Sequence, residues 1–253
     1  VANEKRVAPA PLERVATARE TGEGQKAKID RLALVRELTA RRLYAVALGQ
    51  LKELSDRGPA SAEAAYLEGR CRLGLKEYPE AIESFQKALA MDGNHAASSN
   101  GLGLAYDHAG KRDLAVKAYK KAIELDPAIA EVYNNLGFSL LLSGRYEEAE
   151  RRFLDALALR RDMSAARHNL ALTYGLQGRY DLARSVLEQD GRASAIANLG
   201  VLYEINGDMQ SAERSYAAAL AEDGRLEEAG INYRSLRARL RGEGREKAID
   251  QQE

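Results

Sequence analysis

The chain has no tryptophan, one cysteine, three histidines, five prolines and no net charge, its 38 basic side chains matching 38 acidic ones. Each shortage closes something off. A single thiol, Cys71, cannot form an internal disulfide, and an isolated cysteine of this kind reads as a small buried helix residue. His95, His108 and His168 stand at no metal-ligand spacing from Cys, Asp or Glu, so no metal site is expected. Charge balance removes the positive field that non-specific binding to nucleic acid or anionic membrane needs. The apolar runs are too short to span a bilayer. Scarce proline beside abundant Ala, Leu, Glu and Arg favours helix.

The motifs of catalysis are missing as well. Gly101-Leu-Gly103 has neither the third glycine nor the preceding strand of a dinucleotide fingerprint. No nucleophile elbow and no phosphate-binding loop occurs. The acidic pairs Glu147-Glu148 and Glu227-Glu228 read as helix starts, where they complement the dipole. An enzyme is not expected, nor is a cofactor.

What is present is a period of 34 residues, read from segments beginning at Lys28, Ala62, Ala96, Ala130, Ser164 and Ala193. A large apolar residue followed by a small one recurs at Leu102-Gly103, Leu136-Gly137, Leu170-Ala171 and Leu199-Gly200. One turn on stand Tyr106, Leu140, Tyr174 and Tyr203, and then the turn glycines Gly110, Gly144, Gly178 and Gly207. An alanine holds one place in every unit (Ala47, Ala81, Ala115, Ala149, Ala183, Ala212), followed four residues later by Leu51, Phe85, Tyr119, Phe153, Leu187 or Tyr216. Small residues at a helix crossing, flanked by large ones, are what close packing of a helix hairpin requires. Since no single hairpin buries its apolar stripe, neighbours must stack.

The pattern resembles the tetratricopeptide-repeat (TPR) family over about residues 28 to 226. The resemblance implies an all-α fold, a right-handed α-solenoid of about six helix hairpins. The expected units are 28–61, 62–95, 96–129, 130–163, 164–192 and 193–226, with a capping helix at 227–241 that turns Ile231, Leu236 and Leu240 inward. Two units depart from the pattern. Val35 replaces the usual Gly or Ala in the first, and the fifth is five residues short, so that its second helix should end at Gln189-Asp190-Gly191. Residues 1–27 read as a flexible tether and 242–253 as a disordered tail.

The resemblance further implies that first helices line a concave wall, with the second, fifth, sixth, ninth, twelfth and thirteenth residues of each repeat facing inward. Asn135, Asn169 and Asn198 take the sixth place, while Asn100, Asn134 and His168 take the fifth. An asparagine amide can donate to and accept from a peptide backbone at once, and the family uses such ladders to hold extended chains; bonding to the neighbouring helix is the local alternative. Among these amides lie Leu104, Phe138, Leu141, Leu142, Leu172, Leu176, Val201 and Ile205, expected as apolar groove contacts. The lysine-plus-asparagine clamp of some TPR co-chaperones is not assembled here. The arginines Arg151, Arg152, Arg160, Arg161 and Arg167 read as a charged outer face or a site for an acidic partner.

These readings make the chain a scaffold that holds a peptide or helix of another protein, with no nucleic-acid partner. A weaker resemblance, carried by the shortened repeat and the Ala197-Asn-Leu-Gly-Val-Leu-Tyr203 segment, is to TPR lipoproteins of bacterial tight-adherence (Tad) pilus assembly. It implies a lipid anchor ahead of Val1 and a periplasmic, outer-membrane location; otherwise a cytoplasmic one is expected. A pilotin-like or polysaccharide-export protein, or a regulatory subunit of a multi-chain enzyme, is the alternative.

Overall fold

The computed structural model describes residues 30–56 and 59–250; the expectation of a tether at 1–27 lies outside them. Among the described residues the chain is helical throughout, with no strand. The helices pair as α1 (Arg31–Ala40) with α2 (Tyr44–Ser55), α3 (Ala62–Gly74) with α4 (Tyr78–Met91), and α5 (Ala96–His108) with α6 (Arg112–Leu125). They continue as α7 (Ala130–Leu142) with α8 (Tyr146–Leu159), α9 (Ser164–Leu176) with α10 (Tyr180–Leu187), and α11 (Arg192–Ile205) with α12 (Met209–Glu222), closed by α13 (Glu227–Asp250).

Local chemistry sets these limits. The side chains of Asp30, Ser61 and Asp208 accept from the backbone N–H three residues on, satisfying donors that a helix start leaves open. Gly110, Gly144, Gly178 and Gly207 take φ between 72° and 81° at the hairpin turn, the left-handed region glycine tolerates best. The first two hairpins place Arg42 and Lys76 in that conformation. In the fifth unit α10 stops at Leu187, and a single 3-10 turn, Glu188–Asp190, leads to Gly191 at φ 106°, where the chain reverses early as its length requires.

The hairpins hold together through a size match that explains the irregular units. In four units a glycine of the first helix lies under an aromatic ring of the second. A Cβ added at Gly69, Gly103, Gly137 or Gly200 would come within 2.5–2.7 Å of Phe85, Tyr119, Phe153 or Tyr216 respectively. Where the second helix carries the smaller Leu187 or Leu51, the first carries Ala171 or Val35, both buried. Val35 is thus the complement of Leu51, with both buried in one cluster.

A second match runs beside it. Tyr119 donates to Asp107 at 3.0 Å and Tyr216 donates to Glu204 at 3.0 Å, each acid standing twelfth in its unit. Where the ring is Phe153 or Phe85, the twelfth residue is Leu141 or Leu73. Leu141 is therefore a buried core residue, not the groove contact expected of it, because this face of the helix turns toward its own hairpin partner. At the C-terminal end Leu236 is buried and Leu240 packs beside it, as expected, but Ile231 is exposed. α13 also runs past residue 241 to Asp250, where a tail without structure was expected.

Candidate partner-binding groove

Successive first helices touch one another along the whole stack, α1 to α3, α3 to α5, and so on to α11, whereas no pair of second helices makes a comparable contact. Helices that meet in series lie on the inside of the curve. The odd-numbered helices α1 to α11 therefore form the concave wall, and the ninth and thirteenth residues of the units run across it. The ninth are Arg36, Arg70, Leu104, Phe138, Leu172 and Val201; the thirteenth are Ala40, Gly74, His108, Leu142, Leu176 and Ile205.

In the last four units this band is apolar apart from His108. Phe138, Leu142 and Ile205 are exposed, while Leu104, Leu172, Leu176 and Val201 are half-buried. Seven of the eight expected apolar contacts thus fall in one band, and Leu141 drops out. Fourfold helical spacing puts ninth and thirteenth residues on one face of each helix, and contact between successive first helices sets these faces side by side.

The asparagines do something different from what the sequence suggests. Asn135 donates to Asn100 at 3.1 Å and Asn169 donates to Asn134 at 3.0 Å, so two of the three sixth-place amides clip the fifth-place amide of the preceding unit. The local alternative accounts for these bonds. Half of each amide is committed within the stack, and Asn134, buried, is not a groove residue. The side-chain carbonyls of Asn135 and Asn169 keep acceptor capacity. Asn198, half-buried, makes no side-chain hydrogen bond to a described residue. His168 is exposed, its Nδ1 lying 2.8 Å from the Ser164 carbonyl.

Asp107 and Glu204 stand behind the band and were not found by sequence reasoning, although their pairing with Tyr rather than Phe was the available signal. Burial holds the Asp107 carboxyl above the ordinary aspartate range, opposed by hydrogen bonds donated from Ser139 at 2.7 Å and from Tyr119. Burial and the facing Asp107 push the Tyr119 hydroxyl pKa up. Both are structural groups with partners. Elsewhere, Arg160 pairs with Glu131 at 2.6 Å and Arg152 with Asp155 at 3.0 Å, while Arg167 is buried against the Arg161 carbonyl, which disperses the expected arginine cluster. His95 caps α5 and His108 stacks on Tyr78. Cys71 is buried with its sulfur 3.3 Å from the Thr39 hydroxyl. Among the described residues no group of three or more His, Cys, Asp and Glu could hold a metal ion, and no helix is long and apolar enough to cross a membrane.

Paired helices stacked around a concave wall define an α-solenoid, a scaffold for protein interaction. Within that class the chain belongs to the tetratricopeptide-repeat family: family models of that description match residues 32–96, 108–144, 128–189 and 195–229. Among solved structures it is similar to pilF of Pseudomonas aeruginosa, with TM-score 0.64 and 20% identity, covering 83% of this chain and 96% of that one. It is similar to YrrB, described as a TPR protein with an unusual peptide-binding site, with TM-score 0.55 and 22% identity over 71% of this chain and 95% of the other. It is also similar to MamA, with TM-score 0.52 and 26% identity over 62% and 95%. No curated protein matches the sequence.

Proposed function

We propose that the chain is a non-catalytic adaptor that holds an extended segment of a partner protein against its concave wall. The observation that carries this reading is the band of apolar side chains, broken only by His108, across α5, α7, α9 and α11. Leu104, Phe138, Leu142, Leu172, Leu176, Val201 and Ile205 supply desolvation, and contiguous exposed apolar surface of this kind marks interaction sites. Beside the band, the side-chain carbonyls of Asn135 and Asn169 accept from partner backbone N–H groups, and Asn198 both donates and accepts. The peptide-binding site named for YrrB gives this reading a parallel on the same fold.

The test uses a peptide selected from a random library on the whole chain and titrated by calorimetry. Changing Phe138→Ser together with Leu142→Ser should weaken it on the order of tenfold or more, since two large apolar contacts are lost. Unchanged affinity contradicts the placement. The pathway is a finer proposal: the early end of α10 supports the resemblance to Tad assembly lipoproteins, and so a partner in pilus or secretion assembly. Deleting the gene would then abolish pili or secretion, and their retention would discard that pathway.

A further inference from the structure

The concave wall changes character at its N-terminal end. There the ninth residues are Arg36 and Arg70 in place of the apolar series. Arg36 is engaged, at 2.9 Å from Glu63. Arg70 is exposed, lies 5.8 Å from the centre of the Tyr66 ring, and has no carboxylate within ion-pair distance among the described residues.

Arg70 borders a cavity of about 400 Å³, lined also by Tyr44, Tyr66, Phe85, Asn100 and Leu104. Asn100 faces it with a defined polarity. Its oxygen accepts from Asn135, which leaves its NH2 as the group free to bond a ligand. The cavity thus offers a guanidinium and an amide donor, and no acidic side chain lines it. Such a set takes an acceptor of negative charge and repels a cation. Leu104 both lines the cavity and opens the apolar band, so one extended segment can occupy both.

We infer that the groove selects a segment carrying an Asp or Glu side chain, seated between Arg70 and Asn100, ahead of apolar residues laid along Leu104 and Phe138. This rests on the proposed use of the groove. The geometry sets a spacing. Packed helices stand roughly 8–10 Å apart, and an extended chain advances about 3.3 Å per residue, so the segment moves about three residues per repeat. Seated between α3 and α5, the acid should then lie about two to three residues from the side chain over Leu104 and about five to six from the one over Phe138.

The experiment is selection of a random peptide library, displayed with flanking sequence on both sides, against the full chain and against Arg70→Gln. The wild-type chain should enrich peptides with Asp or Glu about five to six residues from an aromatic or large aliphatic residue. Arg70→Gln should lose the acidic preference and keep the apolar one. A selected peptide should lose on the order of tenfold affinity through either Arg70→Gln or replacement of its acid by the amide, and little more through both together. An apolar consensus without an acid, or an acidic preference that survives Arg70→Gln, overturns the inference while leaving the groove reading standing. Enrichment confined to free C-terminal carboxylates overturns it too. No enrichment on the wild-type chain overturns both.

Discussion

The inner wall and the outer face expose large apolar side chains to nearly the same degree. On the wall Phe138 and Leu142 are 40% and 49% exposed; on the outer face Leu154 and Leu159 of α8 are 46% and 48% exposed. Exposure alone therefore does not tell a binding surface from ordinary surface, and scattered apolar residues need no explanation. What differs between the two faces is the arrangement. First helices touch in series, so a side chain at one repeat position meets its counterparts in the next units and a band results. Second helices splay apart, so their exposed leucines stay isolated. Curvature converts the same composition into a groove on one side and a plain surface on the other.

That contrast can be broken first at its backing. Gly137, next to Phe138 in α7, packs under the second helix, and a Cβ there would stand 2.7 Å from the buried Phe153 ring. Gly137→Leu should destabilise by about 1–3 kcal/mol or more through overpacking, read as a fall in the denaturant midpoint. Arg145→Ala, which removes only the largely solvated pair with Glu148, should change it by about 0.2–1 kcal/mol. Equal effects would mean the hairpin crossing is misplaced.

The wall's asparagines come next, because they separate clip from contact. Asn169→Ala strands the Asn134 carbonyl in a buried position, which should cost about 1–3 kcal/mol. Asn198→Ala should leave the melting temperature nearly unchanged and weaken peptide binding. If both variants melt alike, the inter-repeat bond carries no weight.

The smallest expected effect concerns the twelfth positions. Converting Asp107→Leu and Tyr119→Phe together copies the Leu141 and Phe153 solution of the next unit and should fold. A carboxyl whose folded pKa is raised gives stability present below its unfolded value of about 4 and lost as pH rises through the folded value. The double variant lacks that group, so its stability relative to wild type should improve from about pH 4 toward neutrality. A constant difference across that range would remove the burial effect assigned to Asp107.

The repeat frame was legible because its constraints are steric and local. Glycine under a ring, alanine at a crossing and glycine at a turn each follow from atoms that cannot overlap. What escaped notice depended on partners in another helix. Leu141 and Leu142 are neighbours in sequence and equally apolar, yet one faces Phe153's hairpin and the other the groove. The register of the amide clips, fifth place to sixth, arises from how one unit sits on the next, which a 34-residue period does not encode. The Arg70 cavity was missed because sequence reasoning gave the ninth-place residues of the first two units no separate weight; the change from an apolar series to Arg36 and Arg70 was the available signal. Exposed Ile231 shows the same limit on α13, the last described helix, where among the described residues no hairpin packs over it.

The most direct test of the groove is a matched pair of double variants titrated with one library-selected peptide. Phe138→Ser with Leu142→Ser removes two exposed apolar side chains from the wall, and Leu154→Ser with Leu159→Ser removes two of like exposure from the outer face. The account predicts a loss of affinity on the order of tenfold or more for the first pair and none for the second, with both proteins folded by their melts. Full affinity in the wall variant, or a loss in the outer one, would contradict it.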